Sequence, residues 1–465
     1  MRLSHGSSAL SATFDDPNLV SVAGLAPVVA LAQDCRLGDL VAERVTLRAK
    51  GGVNAALKVS ALVAGMVAGA DSIEDMDLLR HGGMARLFAG IRAPSTLGTF
   101  LRAFTFGHVR QLDSVAAAFL TALAAAAPLL PGAGQVSYLD LDDTIRQTHG
   151  YAKQGAGYGY TRVKGLNALL ATICTPTAAP VIAAARLRKG AVKSARGAGK
   201  LVAEALSTAR AAGAGGPDRS GLVLARADSA FYCHDVIAAA RRGGAHFSIT
   251  ARMDAAVKKA IAAIADDAWT AIRYPQAAWD DEGQCWISDA EVAEIGFTAF
   301  TSRRKADHIT ARLIVRRVKR LNSDSVPAGQ GELFTAWRYH AVFTDSPEPM
   351  LGAEQTHRQH AVIEQVHADL KAGPLAHLPS GSFAANSAWL VLAAIAFNLT
   401  RAAGALASGF HAKATTGTIR AQLISVPARL ARSARRLRLH LPRDWPWETA
   451  WSQLFDATCG PPAAA

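Results

Sequence analysis

The chain is poor in cysteine. Five are scattered over 465 residues, at Cys35, Cys174, Cys233, Cys285 and Cys459, and no two form a C-x-x-C pair. Odd number and wide spacing exclude a disulfide framework and a thiolate zinc site as organising features, and they fit a reducing cytosol. Long hydrophobic runs are also missing. The most apolar stretch, Ala388 to Phe397, covers ten residues, whereas a bilayer-crossing helix needs about 20; it reads as a buried helix, and no membrane partner is expected. The opening MRLSHGSSALSATFDDPNLV has no apolar core of the signal-peptide kind. Acids are in deficit as well: 37 Asp and Glu stand against 50 Lys and Arg, a net charge of +13.

That imbalance points to a polyanionic partner, although a high-GC genome rich in Ala, Arg and Gly codons inflates Arg by itself. Half of the residues are apolar, so the chain can bury a large core and disorder is not its compositional default. Its length suggests two to four domains.

Residues 1–130 read as a helical, DNA-binding region. APSTLGTFLRAF (93–104) carries a helix start, with Ser95 or Thr96 as the N-cap after Pro94. Short helices, Gly breaks and the interleaved Arg80, Arg86 and Arg92 are arranged like a helix-turn-helix; an all-helical packing region is the plainer alternative. A Pro/Gly-rich boundary, PLLPGAGQ (128–135), precedes a change of character. From 136 to 251 the pattern predicts β-β-β-α-β-α-β, three antiparallel strands followed by α/β crossovers, which is the ribonuclease H-like order. Residues 252–350 hold four of the eight tryptophans (Trp269, Trp279, Trp286 and Trp337) and alternating runs such as ARLIVRRVKRL, and predict a β-rich insertion. Two helices, over 354–371 and 382–404, complete the core in 351–404. A basic tail, 405–465, carries Arg429, Arg432, Arg435, Arg436 and Arg438, a set that would follow a phosphate backbone or simply be a solvated charge run. The fold class expected is α/β: a ribonuclease H-like catalytic core interrupted by a β-rich insertion, with a helical N-terminal region.

Acids placed at strand ends carry the chemistry. In VSYLDLDDTI the strand ends on Asp142; Asp140, two residues earlier, shares its face, and Asp143 points the other way. Asp228 terminates the mostly apolar run LVLARA, where a buried acid is costly unless paired or metal-bound. Hydrolysing or transferring a phosphodiester calls for about three acids on rigid elements, converging on two Mg²⁺ ions about 4 Å apart. The plainer reading makes the DDT segment a turn and Asp228 a helix cap.

The third acid comes from HRQHAVIEQVHADLK (357–371). At about 100° per residue, His357, His360, Glu364, His367 and Lys371 fall within about 80° of arc, opposite Val362, Ile363, Val366 and Leu370. A solvated face usually mixes Glu, Lys, Gln and Arg. One acid among histidines and a lysine suggests a metal and an anion nearby.

These residues resemble the DDE transposases of bacterial insertion sequences, and within them the branch with a Tyr-x2-Arg-x3-Glu-x6-Lys signature helix and a β insertion. Here that spacing reads His357-x2-His360-x3-Glu364-x6-Lys371, with Glu and Lys matching and His in both other places. The resemblance extends to LDLDDT, to the ARADS segment around Asp228 and to GAGYGYTRVKGLNALLAT, and spans roughly 80–455. It implies that Asp142, Asp228 and Glu364 are the catalytic, metal-binding acids, with Asp140 the alternative first acid. Mg²⁺ is the implied cofactor, with Mn²⁺ as its implied substitute. The implied partners are double-stranded DNA, as terminal inverted repeats and as target, and a second copy in a synaptic dimer. Cleavage and joining by transesterification follow, and relatives with this insertion cut through a hairpin intermediate in which a Trp, here Trp286 or Trp337, stacks on a flipped base. Lys371, His357 and His360 are implied phosphate contacts.

HGYAKQGAGYGYTRVKG (149–165) adds Tyr160, Arg162 and Lys164 as DNA-facing candidates, since aromatics and cations suit stacking and phosphate contact; a surface hairpin is the alternative. The segment lacks the Lys-Ser/Thr that ends a P-loop. A cytoplasmic, nucleoid-associated bacterial enzyme is expected. A ribonuclease H-like nuclease or resolvase without strand transfer, or a domesticated DNA-binding protein, is the competing reading.

Overall fold

In the computed structural model the described residues are 1–48, 50–149, 153–159, 161–275, 277–319, 337–433 and 436–460. Tyr160 and Arg435 lie outside them.

The chain opens with a two-residue strand, β1 (Leu19–Val20), and then helices α1 (Leu25–Asp34), α2 (Leu37–Arg44), α3 (Ala55–Ala68), α4 (Met84–Leu87), α5 (Pro94–Arg102) and α6 (Phe106–Ala126). Strands β2 (Val136–Gln147), β3 (Gly157–Tyr158), β4 (Lys164–Cys174) and β5 (Val181–Lys189) follow. Next come α7 (Ala198–Ala211), β6 (Leu222–Ala227), α8 (His234–Arg242) and β7 (His246–Thr250). The stretch 252–350 contributes α9 (Ala255–Ala262), β8 (Thr270–Ala271), β9 (Ala278–Asp280), β10 (Cys285–Ile287), β11 (Ala290–Ala299), β12 (Ile309–Lys319) and β13 (Trp337–Thr344). Helices α10 (Met350–Arg358), α11 (Val362–Lys371), α12 (Phe383–Ala407) and α13 (Thr416–Ile419) lead to the hairpin β14 (Ala428–Ser433) and β15 (Arg436–His440), and to α14 (Glu448–Cys459).

Among the described residues ten strands form one mixed sheet. Strands β5, β4 and β2 are antiparallel neighbours; β6 lies parallel to β2, and β7 parallel to β6. The burial pattern explains the order. LNALLATIC in β4 is buried on both faces, as a central strand must be, while β5 lies at an edge and presents free backbone groups. Asn398 of α12 takes them up: its Oδ1 accepts from the Ile182 N–H at 2.8 Å and its Nδ2 donates to the Ile182 carbonyl at 2.8 Å.

The insertion does not fold away from the core. Strand β13 pairs antiparallel with β7 through Val342, Phe343 and Thr344, and β12 and β11 continue the sheet outward. Among the described residues of this stretch, β9 and β10 form a separate two-stranded ribbon.

Helix α12 is the axis of the molecule. It is longer than the ten-residue apolar run that marks it in the sequence, and by length and composition it could cross a membrane; 89% of its most apolar window is buried inside the protein. It packs on α6, α3, β5 and α14. Its polar groups are satisfied: Trp389 Nε1 donates to the Pro374 carbonyl at 2.6 Å, and Arg401 donates to the carbonyls of Ala412 and Ala414. Helix α6 passes the same length and composition test with 33% of its window buried.

Several details differ from the sequence expectations. Helix α5 begins at Pro94 with Ala93 as N-cap, so Ser95 and Thr96 lie inside the first turn; Pro fits there because its missing N–H is one the helix would leave unpaired. The helix-turn-helix layout around Arg80 to Phe104 resolves into a 3-10 turn (Glu74–Leu79), the single-turn α4 and α5. The single helix expected over 354–371 is broken by a 3-10 turn at Gln359–Ala361. The basic tail is anchored, because β14 pairs with β1 near the other end of the chain and α14 packs on α12 and α1.

Candidate active site

Asp142 and Asp228 are brought together by sheet register. Leu141 pairs with Ala227 in the parallel β2–β6 ladder, so the next residue of each strand is an acid. Asp142 is half-buried, and its Oδ1 accepts from the Asp143 N–H at 2.8 Å. Asp228 sits just past β6 and caps a 3-10 turn, its Oδ1 accepting from the Ala230 N–H at 2.9 Å. Much of its surface is exposed, yet protein atoms on the strand side partly desolvate it. That desolvation, joined by the charges of Asp142 and Asp143, pushes its carboxyl above the ordinary range; the Ala230 N–H and nearby His360 pull the other way.

The neighbouring acids are already committed. Asp140 is fully buried and held by Arg226 in a two-pronged ion pair, Nε to Oδ1 at 2.6 Å and Nη2 to Oδ2 at 2.8 Å. Arg226 also donates to the Thr356 carbonyl at 2.7 Å, which ties this pair to α10. On the opposite face Asp143 accepts from Arg188, from Asn167 Nδ2 at 2.9 Å and from Ser194 Oγ at 3.2 Å. Asp140 and Asp143 are each neutralised by an arginine and have little charge to offer an incoming ion, so of the acids on β2 it is Asp142 that keeps coordination capacity.

The break between α10 and α11 divides the predicted stripe. His357 points inward and is buried, its ring nitrogens 2.9 Å from Ser248 Oγ and from Thr250 Oγ1 on β7. It therefore faces the sheet instead of a phosphate. Its imidazole is held well below the usual histidine range, chiefly by burial and then by His360 and Arg226. His360 remains partly exposed, its Nδ1 2.6 Å from the His357 carbonyl. Glu364 is exposed on the first turn of α11. His367, one turn on, is buried with Nε2 3.3 Å from Asp142 Oδ2. Lys371 is half-buried; burial and the Arg146 charge lower its ammonium pKa, and Asp142 opposes them.

The chemistry of the Asp142–Asp228 pair fits a hard divalent cation: two oxygen donors, their mutual repulsion uncompensated by any Lys or Arg within ion-pair distance among the described residues. Glu364 lies on α11, the helix that packs on β2 and brings His367 to Asp142. Among the described residues no three His, Cys, Asp or Glu side chains gather closely enough to hold one ion between them.

Other expected contacts are spread out. Arg162 is exposed with a left-handed backbone, φ +56°, its N–H donating to the Gly159 carbonyl at 3.1 Å, and Lys164 opens β4. Trp286 lines a groove of about 710 Å³ with Arg273, Tyr274, Arg358 and Gln359. Trp337 is covered by Arg317 at 4.5 Å and Lys319 at 5.8 Å. The sequence reading left two partners unassigned. Arg226 was visible as a charge inside an apolar strand, at the position opposite Asp140; His367 was visible only as one more polar residue on the helix.

Residues 4–458 match the family described as transposase DDE domain group 1. No curated protein matches the chain.

Proposed function

The chain belongs to the transposase DDE domain family, group 1, and from that premise we propose that it is a Mg²⁺-dependent enzyme that binds the inverted-repeat ends of its element, cuts DNA there and joins it to a target. The observation that carries this reading is the Asp142–Asp228 pair at the ends of two parallel strands, with the Glu364 helix reaching Asp142 through His367. The strand order β5-β4-β2-β6-β7, antiparallel then parallel, supports a ribonuclease H-like core for this site.

Asp142 and Asp228 would hold the metal ion, and Glu364 is the third acid. The bound ion supplies charge neutralisation at the phosphate and activation of the attacking hydroxyl. The protein's part is to orient. Strand ends fix two carboxylates, Lys371 places a cation beside Asp142, and His360, partly exposed near Asp228, is the better placed of the two signature-position histidines for a phosphate. His357, locked on β7, supports the helix. Trp286, with Arg273 5.5 Å over its ring and an open groove before it, is better placed to stack on an unpaired base than Trp337, which Arg317 and Lys319 already cover. Two copies bridging two element ends would make the synaptic assembly.

The test is a labelled element-end duplex with Mg²⁺. Wild type should nick it and join the 3′-hydroxyl end to a second duplex, and Glu364→Gln should reduce both steps about a hundred- to a thousandfold, as loss of one charge-stabilising group does. A variant that nicks and joins at the wild-type rate rules out Glu364. Nicking without joining identifies a nuclease.

A further inference from the structure

Three histidines are buried among the described residues: His357, His367 and His411. Two are fully used. His357 lies between Ser248 and Thr250, while His411 has Nδ1 2.7 Å from Ser408 Oγ and Nε2 2.9 Å from Gln422 Oε1. His367 is the exception. It is 5% exposed, and neither Nδ1 nor Nε2 has a hydrogen-bond partner. An imidazole buried with both nitrogens idle is costly, so its surroundings call for an account.

Its nearest polar neighbour is Asp142: Nε2 lies 3.3 Å from Oδ2, at an angle short of a hydrogen bond. The other oxygen of that carboxylate is already anchored by the Asp143 N–H. His367 sits one turn after Glu364 and one turn before Lys371, on a helix whose Ile363, Val366 and Leu370 are buried and fix its rotation.

We propose that His367 is a positioning residue for the metal-binding acids: its Nε2–H holds Oδ2 of Asp142 and so sets both the direction of that carboxylate and the register of the Glu364 helix against β2. The proposal rests on Asp142 and Asp228 being the metal-binding pair. A group that orients a ligating carboxylate typically changes metal affinity about 10–100-fold when removed.

The experiment is Mn²⁺ titration of the full-length protein by electron paramagnetic resonance, with the unfolding midpoint of each variant measured in chelator. His367→Phe should bind Mn²⁺ about 10–100-fold more weakly while His367→Gln, whose amide can reach Oδ2, stays within about threefold of wild type. His367→Asn, one methylene shorter, should lose affinity like Phe and serves as the decisive comparison with Gln if the Phe variant does not fold. Equal affinity in the folded Phe, Asn and wild-type proteins, with Asp142→Asn and Asp228→Asn both weakened, overturns the positioning role alone. If Asp142→Asn and Asp228→Asn also bind Mn²⁺ as wild type does, the metal-binding pair falls and the role of His367 with it.

Discussion

Asp140 and Asp142 are two residues apart on one strand face and have opposite fates. The difference lies in what stands across from them. Asp140 pairs in register with Arg226, and both side chains are closed off from water. Breaking a buried ion pair by removing one member leaves the other charge stranded, at a cost of about 3–5 kcal/mol. Asp140→Asn is therefore expected to lower the urea midpoint strongly, whereas Asp142→Asn should keep the midpoint near wild type and abolish Mg²⁺-dependent nicking. Replacing the pair together, Asp140→Leu with Arg226→Met, should recover much of the lost stability. An Asp140→Asn protein as stable as wild type but unable to nick would reverse these assignments. The run LVLARA, apolar but for Arg226 and followed by Asp228, made that acid legible in the sequence; the contrast between Asp140 and Asp142 was not, since it depends on a partner 86 residues away.

At the scale of elements, the docking of α10 on β7 rests on His357. Its ring bridges two hydroxyls of one strand, which neutral imidazole does well as donor at one nitrogen and acceptor at the other. The folded protein holds His357 neutral because burial opposes its charge, while an unfolded chain takes up a proton near pH 6.5. Because its folded pKa is depressed, the contribution of this residue is fully present above about pH 6.5 and is lost as pH falls below it, by at most about 1.4 kcal/mol per pH unit. Urea unfolding of His357→Gln should show a clear deficit against wild type at pH 7.5 and a smaller one at pH 5.5; an equal deficit at both values would exclude this role. Helical periodicity placed the polar residues of 357–371 on one stripe because it assumed one continuous helix. The 3-10 turn at Gln359–Ala361 offsets α10 from α11, which sends His357 to β7 and His367 to β2.

Across the whole molecule, the two ends of the chain meet. Among the described residues the strand partner of β1 is β14, and α14 covers α1 and α12 with Trp451 and Leu454, both buried. Ending the chain after residue 427 removes β14, β15 and α14 together. Limited proteolysis of that truncation should then cut first within residues 1–130, while fragments from the sheet, 136–344, persist. A digestion pattern unchanged from full length would mean that the terminal sheet contributes little to holding the helices.

The sequence by itself determined the kinds of element and the positions of the acids, because both are local matters. Strand runs such as LNALLATIC, the helix signals and the Asp and Glu placements follow from periodicity and from the cost of burying charge. Tertiary structure alone decided which acids stay free and which are neutralised, where the helix carrying Glu364 breaks, and that the inserted strands extend the core sheet. Each of these turns on a contact between distant segments: Arg226 with Asp140, His357 with β7, β13 with β7 and His367 with Asp142. A local pattern says what a residue can do; the partner brought against it decides what it does.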